Sequence, residues 1–352
     1  MMHNFLCTLQ EGQIIDCHYL LTEVSLGTTC GGSPYLNGTL SDVSDSLPVR
    51  FWDYSGPISE RDCGKAVHVE GTVSSYRNRL QLVCSRLEVV PLSAIDPTEI
   101  GALIPLAPID VNQRICYLYD EITSIRNRSL YAVTKTLVER HWDAFIRIPA
   151  ALGVHHAFVN GLLMHTTDMV AAAEGLCQVY GERINRDLLL AGVILHDIGK
   201  TSEFTIAETG LVEQYSPLGK ALGHSVIGVE EIGQVGAELG VDPEAVMLLQ
   251  NLLASHHGKP EYGAAAGAIT LEGELLHELD SIDSRVEIYR EALQSVPEGE
   301  FSPYIRPLSK QVYHPCLNDV DDGSGRIDAI PPLPPVGMNV EAYLESYDCW
   351  RH

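Results

Sequence analysis

The chain has 352 residues, of which 45% are hydrophobic and 20% charged, enough for two domains with ordinary soluble cores. Lys and Arg total 23 against 47 Asp and Glu, a net charge of -24 that opposes non-specific phosphate binding. That charge leaves a nucleic-acid substrate open, because bound divalent cations can reverse a local potential.

No apolar run approaches the roughly eighteen residues of a membrane span. The opening MMHNFLCTLQEGQ lacks a basic stretch followed by a long apolar one, so no signal peptide is expected. The nine cysteines are odd in number and contain no C-x-x-C pair, against both a disulfide framework and a zinc ribbon. A cytoplasmic protein without a membrane partner is the expectation.

In chain order, residues 1–12 form an extension and residues 13–92 read as β. Ile14–Leu21, Tyr35–Leu40, Val49–Tyr54, Ala66–Val73 and Leu80–Val90 are separated by Gly, Ser, Asn and Pro. Five short strands predict a small barrel, with an OB-fold among the options. An OB surface binds single strands by stacking bases on aromatics beside a basic track. Candidates are Tyr35, Trp52, Tyr54, Tyr76, Arg50, Arg77 and Arg79, with core packing the favoured reading of each aromatic. Alternation puts Arg50, Trp52 and Tyr54 on one face and Val49, Phe51 and Asp53 on the other. Tyr76, Arg77 and Arg79 read as a turn. The Pro-dotted stretch Pro91 to Pro108 reads as a linker, and the domain boundaries place that linker at 93–111.

From 112 to 298 the pattern is helical. Helices are predicted within 112–147, 157–180, 186–196, 217–238, 243–255 and 271–294. Residues 299–352, with Asp-Asp-Gly-Ser-Gly (321–325) and Pro-Pro-Leu-Pro-Pro (331–335), read as an irregular tail.

The chemistry is signalled by His196–Asp197, which follows the apolar run Leu188 to Leu195. An HD dipeptide is common, but here His165 precedes it and His224, His256, His257 and Asp280 follow it. His165 lies on an apolar helical stripe with Leu162 and Met169. Asp280 borders a predicted core stripe of Leu275, Leu279, Ile282, Val286 and Leu293, beside Leu276 and Asp283. A carboxylate there is costly unless paired or metal-bound. His165, His196, Asp197 and Asp280 therefore form a plausible single-metal set. His224, near a helix start, and His256–His257, at a helix end, suggest a second metal, with Asp197 bridging the two for attack at phosphorus. Mixed His and carboxylate ligation suits Mn²⁺ or Fe²⁺ better than Mg²⁺. Lys200 could neutralise a phosphate oxygen or simply face solvent. His155–His156 could reach a phosphate or merely form a helix entry.

These residues carry a resemblance. HHAFVNGLLMHTTDMV (155–170), LLLAGVILHDIGK (188–200), LGKALGHSVIGVE (218–230), LLASHHGKPEYG (252–263) and LLHELDSIDSR (275–285) resemble the HD-superfamily domain of YhaM-type 3′-to-5′ exoribonucleases. TTCGGSPYLNGTLSD (28–42), VRFWD (49–53) and VEGTVSSYRNRLQLV (69–83) resemble the OB-fold that precedes it in that family. The resemblance covers roughly residues 12–310 in the family's order. It implies an OB-fold barrel followed by an all-α HD bundle. It also implies a metal-dependent enzyme that trims single-stranded RNA, or DNA, from the 3′ end to nucleoside 5′-monophosphates. By motif, His165, His196, Asp197 and Asp280 would be core ligands and Asp197 catalytic. His224, His256 and His257 would complete a second metal site, with His257 alternatively behind the ligands, and Lys200 would assist electrostatically. An HD phosphohydrolase of small nucleotides or cyclic dinucleotides, and a non-catalytic nucleic-acid-binding protein, are the alternatives. A homo-oligomer is left open.

Overall fold

The computed structural model describes residues 3–77, 79–152, 156–294 and 296–317. The chain forms two compact units, Met1–Glu291 and Ala292–His352. The first opens with five strands, β1 (Ile14–Thr28), β2 (Pro34–Ser41), β3 (Ser46–Trp52), β4 (Lys65–Tyr76) and β5 (Arg79–Val89). They close into a barrel in the order β1-β2-β3-β5-β4, the expected OB-type arrangement. β1 is longer than its hydrophobic pattern suggests because it serves two neighbours. Ile14 to Leu21 pair with β4, and beyond an irregularity between Leu21 and Glu23 the strand continues along β2. Closure is completed by a short parallel contact of β3 with β5 at Val49–Leu82 and Arg50–Val83. Inward residues such as Ile15, Tyr19, Leu36, Leu40, Val49, Val67, Val69 and Leu82 fill the interior.

Alternation along β3 holds as far as Trp52. Val49 is buried, Phe51 packs on the barrel core, and Trp52 is exposed. Asp53 then takes a left-handed φ of 53°, which resets the alternation and returns Tyr54 to the interior. The Tyr54 hydroxyl accepts a hydrogen bond from the Ile58 N–H at 2.7 Å. Tyr54 is therefore core, and only Arg50 and Trp52 share the outward face.

The proline-rich stretch after the barrel contains a 3₁₀ turn at Leu92–Ala94 and a helix, α1 (Pro97–Leu103). Ile95, Leu103 and Ile104 pack on Leu20 and Ala66 of the barrel, with Val159 and Leu211 at the edge of the same cluster. The linker segment is thus an apolar joint.

The helical body comprises α2 (Val111–Ser124), α3 (Arg128–Arg140), α4 (Trp142–Phe145), α5 (Gly161–Tyr180), α6 (Arg186–Leu195), α7 (Lys200–Glu203), α8 (Pro217–Leu239), α9 (Pro243–Ser255) and α10 (Leu271–Leu293). Between α7 and α8 a hairpin of β6 (Phe204–Ile206) and β7 (Val212–Tyr215) interrupts the all-α pattern. It was not apparent from periodicity, since strands this short give too few alternations to register. Every residue from Leu188 to Leu195 is buried, which makes α6 the central helix of the body. No described helix is long and apolar enough to cross a membrane.

α10 is rotated relative to the expected stripe. Leu276 and Leu279 are buried, whereas Ile282 and Val286 are 53% and 62% exposed. Its inward face carries charge instead. Glu272 accepts a hydrogen bond from the Asn185 N–H at 2.7 Å, and the buried Glu287 is held by Arg290 at 2.8 Å. This rotation turns Asp280 and Asp283 toward the histidines.

In the second unit, Phe301 bridges to Tyr313 and Ile305 to Lys310, around a 3₁₀ turn at Arg306–Leu308. The acidic Gly-Ser segment and the Pro-Pro-Leu-Pro-Pro segment of the predicted tail lie outside the described residues.

Candidate metal centre

α6 delivers the HD pair to the interior. His196 caps its C-terminus, with helical φ and ψ of -53° and -37°, and Asp197 follows it; both are buried. His165 projects from the buried face of α5, together with Leu162, Thr166 and Met169. His224 sits just after Gly223, whose φ of 72° breaks α8. The break frees the His224 N–H to donate to Glu203 Oε1 at 3.0 Å. Gly199 is needed for the same contact region, since a Cβ there would lie 2.1 Å from the His224 carbonyl oxygen. His256 and His257 follow the last residue of α9, and Asp280 comes from α10.

All seven expected ligands converge, in two groups that share Asp197. In the first, His165 Nε2 lies 3.1 Å from His196 Nε2 and 3.5 Å from both Asp197 Oδ2 and Asp280 Oδ1. In the second, His224 Nε2 lies 3.2 Å from His257 Nε2 and 3.4 Å from Asp197 Oδ1. His256 lies between the groups, its ring centroid 5.4 Å from that of His196 and 5.5 Å from that of His224.

The hydrogen bonds behind these rings decide what their inner nitrogens can do. His196 Nδ1 faces the Val193 carbonyl at 2.8 Å, and His256 Nδ1 faces the Leu253 carbonyl at 2.6 Å. His165 Nδ1 donates to Asp283 at 2.7 Å, and His224 Nδ1 lies 3.2 Å from both Glu203 oxygens. Carbonyls and carboxylates only accept, so each Nδ1 holds a proton and each Nε2 is left facing the centre. Burial opposes charge on His196, but Asp197 outweighs it and raises its pKa, so that nitrogen attracts positive charge. Two such nitrogens 3.1 Å apart need a proton or a metal cation between them. His256 Nε2 is buried with no hydrogen-bond partner at all. Burial, reinforced by His257 and His196, pushes the His256 pKa well below the usual imidazole value, so the ring stays neutral, which is the ligand form. The donor set of nitrogens and carboxylates thus fits divalent metal ions.

Burial opposes charge on Asp197, but Lys200 and then His196 outweigh it and hold its carboxyl well below the usual range. Lys200 Nζ lies 2.6 Å from Asp197 Oδ2, so the lysine belongs to the centre and is not a solvent-facing side chain.

Three braces escaped sequence reasoning. Asp283 and Glu203 orient His165 and His224, and His277 Nδ1 binds the His256 carbonyl at 2.8 Å. The i, i+3 spacing of Asp280 and Asp283 was the available signal for the first. His156 is buried with Nε2 2.8 Å from Asp283 Oδ2, which makes it a brace of that carboxylate; His155 lies outside the described residues.

On the barrel, Tyr76 and Arg79 flank the tight hairpin turn between β4 and β5. They are register partners at the ends of β4 and β5, with Arg77 just beyond at φ 51°. Arg50, Tyr76, Arg77 and Arg79 line one groove with Asn37 and Gln81. Trp52 lies outside that lining, its ring tilted 5.6 Å from Tyr35 and capped by the Arg50 guanidinium at 5.4 Å. Trp52 and Tyr76 are 43% and 54% exposed, so neither is core. Tyr35 is half-buried over Gly27, where a Cβ would strike its ring.

Residues 162–285 match the HD domain family. The chain is 33% identical over 308 residues to the 3'-5' exoribonuclease YhaM of Halalkalibacterium halodurans, covering 87% of this chain and 94% of that one. It is 32% identical over 321 residues to the YhaM of Listeria monocytogenes serotype 4b, covering 90% of this chain and 100% of that one. An HD match implies dependence on a divalent metal, and similarity running the length of both chains takes in the barrel as well as the helical body. The chain belongs to the YhaM 3'-5' exoribonuclease family.

Proposed function

We propose that the protein is a metal-dependent 3′-to-5′ exonuclease that trims single-stranded RNA, or DNA, to nucleoside 5′-monophosphates. The observation that carries this reading is the Asp197 carboxylate shared by two clusters of inward imidazoles, on a chain whose barrel bears an arginine- and aromatic-lined groove. We assign His165, His196, Asp197 and Asp280 to one cation and Asp197, His224, His256 and His257 to a second, with Mn²⁺ or Fe²⁺ the best match to the donors. When bound, such cations supply a nucleophile from water at neutral pH and neutralise charge on the phosphoryl oxygens.

The chain's own residues do the rest. Asp197 holds the negative charge common to both clusters, and Asp283 and Glu203 keep His165 and His224 from rotating. Lys200 places a positive charge beside Asp197, where a phosphate oxygen of the substrate can share it. The buried wall of α6 excludes bulk water and strengthens each of these interactions. On the barrel, Trp52 and Tyr76 offer faces for stacking, and Arg50, Arg77 and Arg79 track the backbone. Scattered, odd-numbered cysteines support a reducing cytoplasm as its compartment.

The test is a time course of the Mn²⁺-loaded protein on 5′-labelled single-stranded RNA, beside the double variant His196→Ala, Asp197→Ala. A descending ladder that the variant lacks is expected. Intact RNA with metal bound would overturn the reading and favour a small nucleotide or cyclic dinucleotide.

A further inference from the structure

A second set of metal-type donors lies at the barrel and shares no residue with the centre above. His3, Cys17 and Glu99 bring an imidazole nitrogen, a sulfur and a carboxylate oxygen within 4.8 Å of one another. His3 Nδ1 is 3.3 Å from Cys17 Sγ, and Sγ is 3.9 Å from Glu99 Oε1. The three come from separate parts of the chain: the segment before β1, β1 itself, and α1. The cluster is largely enclosed, with Cys17 5% exposed and the side chains of His3 and Glu99 5% and 12%.

What surrounds the cluster is what a ligand set requires. His3 Nε2 donates to Asp42 Oδ2 at 3.0 Å, which leaves the Nδ1 lone pair facing the sulfur. Asp42 is itself buried, and donors from Ser44 and Leu6 together with His3 hold its carboxyl below the usual range despite that burial. The Asn4 N–H points at Sγ from 3.5 Å and favours a thiolate, but burial outweighs it and raises the thiol's pKa, so the proton would leave only as a cation binds. His18 Nδ1 lies 2.9 Å from Glu99 Oε1 and orients that carboxylate. A thiol–imidazole hydrogen bond accounts for the first contact and the His18 pairing for the carboxylate's position; a cation accounts for the convergence of all three donors on one enclosed point. Zinc–ligand bonds of about 2.0–2.3 Å place tetrahedral donors about 3.5 Å apart, close to the spacings here.

We propose that His3, Cys17 and Glu99 bind a divalent cation of the zinc class, with water in the fourth position and Asp42 as the outer partner of His3. The ion ties the N-terminal segment and α1 to β1, so it fastens the chain where it enters and leaves the barrel.

Loading the full-length chain with Co²⁺ tests this, because cobalt–thiolate bonding gives a near-ultraviolet charge-transfer band that the sulfur-free His/Asp centre cannot produce. The band is expected in the wild type and in the His196→Ala, Asp197→Ala double variant, and is expected to be lost in Cys17→Ser. His3→Ala, which removes no apolar core group, is expected to weaken Co²⁺ binding at this site at least tenfold and serves should Cys17→Ser not fold. Asp42→Asn is expected to weaken it about 10–100-fold. A folded, Co²⁺-loaded wild type without the band overturns the proposal. So does a band that persists in Cys17→Ser, or unchanged affinity in His3→Ala.

Discussion

The metal centre and the barrel groove are organised in opposite ways. Around the centre, His165, His196, His224 and His256 are each backed by a carboxylate or carbonyl, and His165, His196 and His256 are buried outright. On the barrel, Trp52 and Tyr76 stand exposed, each with an arginine over its ring. The contrast fits the proposed tasks. Water activation at phosphorus needs donors held within a fraction of an ångström, which only burial and outer hydrogen bonds provide. Holding any base of a passing strand needs open π-faces and mobile charge, which a rigid pocket would spoil.

That difference is testable from its largest effect downward. His196→Ala with Asp197→Ala should lower hydrolysis by ~10³-fold or more, since the metals supply several kcal/mol of charge stabilisation. Circular dichroism should show the barrel unchanged. Next, Glu203→Gln or Asp283→Asn should weaken metal binding by about 10–100-fold with all the proposed ligands still present. Metal titrations that match the wild type would break the claim that outer hydrogen bonds organise the centre. Trp52→Ala and Tyr76→Ala should each weaken single-stranded RNA binding by about 1–3 kcal/mol while kcat on saturating substrate holds. A fall in kcat with unchanged binding would move these rings out of recognition. The smallest effect is expected for Arg77→Ala, which should reduce the slope of log affinity against log salt by about 0.7 for a single strand.

How far the sequence could be read follows the same division. The HD pair was visible because α6 is apolar on every side, so a His and an Asp at its end had to face the interior. His165 and Asp280 were visible as polar residues on or beside apolar stripes. Glu203 was not, because it acts through a contact across a kink at Gly223 that no local pattern announces. The α10 stripe was misread for a related reason. Apolar spacing selected Ile282 and Val286, whereas the helix turns inward a face whose charges Asn185 and Arg290 satisfy. On the barrel, alternation placed Arg50 and Trp52 correctly and failed at Tyr54, where one left-handed residue shifts the count. Periodicity sees burial repeated along an element; it does not see single dihedral changes or pairings between distant elements.

The apolar joint of Ile95, Leu103 and Ile104 against Leu20 and Ala66 has a consequence for the proposed trimming of a strand. Through this joint the barrel packs against Val159 and Leu211 of the helical body, which favours a fixed placement of the two as the proposed substrate shortens. On the proposed function, each cycle would then draw the strand across a stationary grip, with bases released from one ring and caught by the next. Such an enzyme should protect a constant footprint as it advances, and it should stall at a fixed remnant length when the 5′ end slips from the grip.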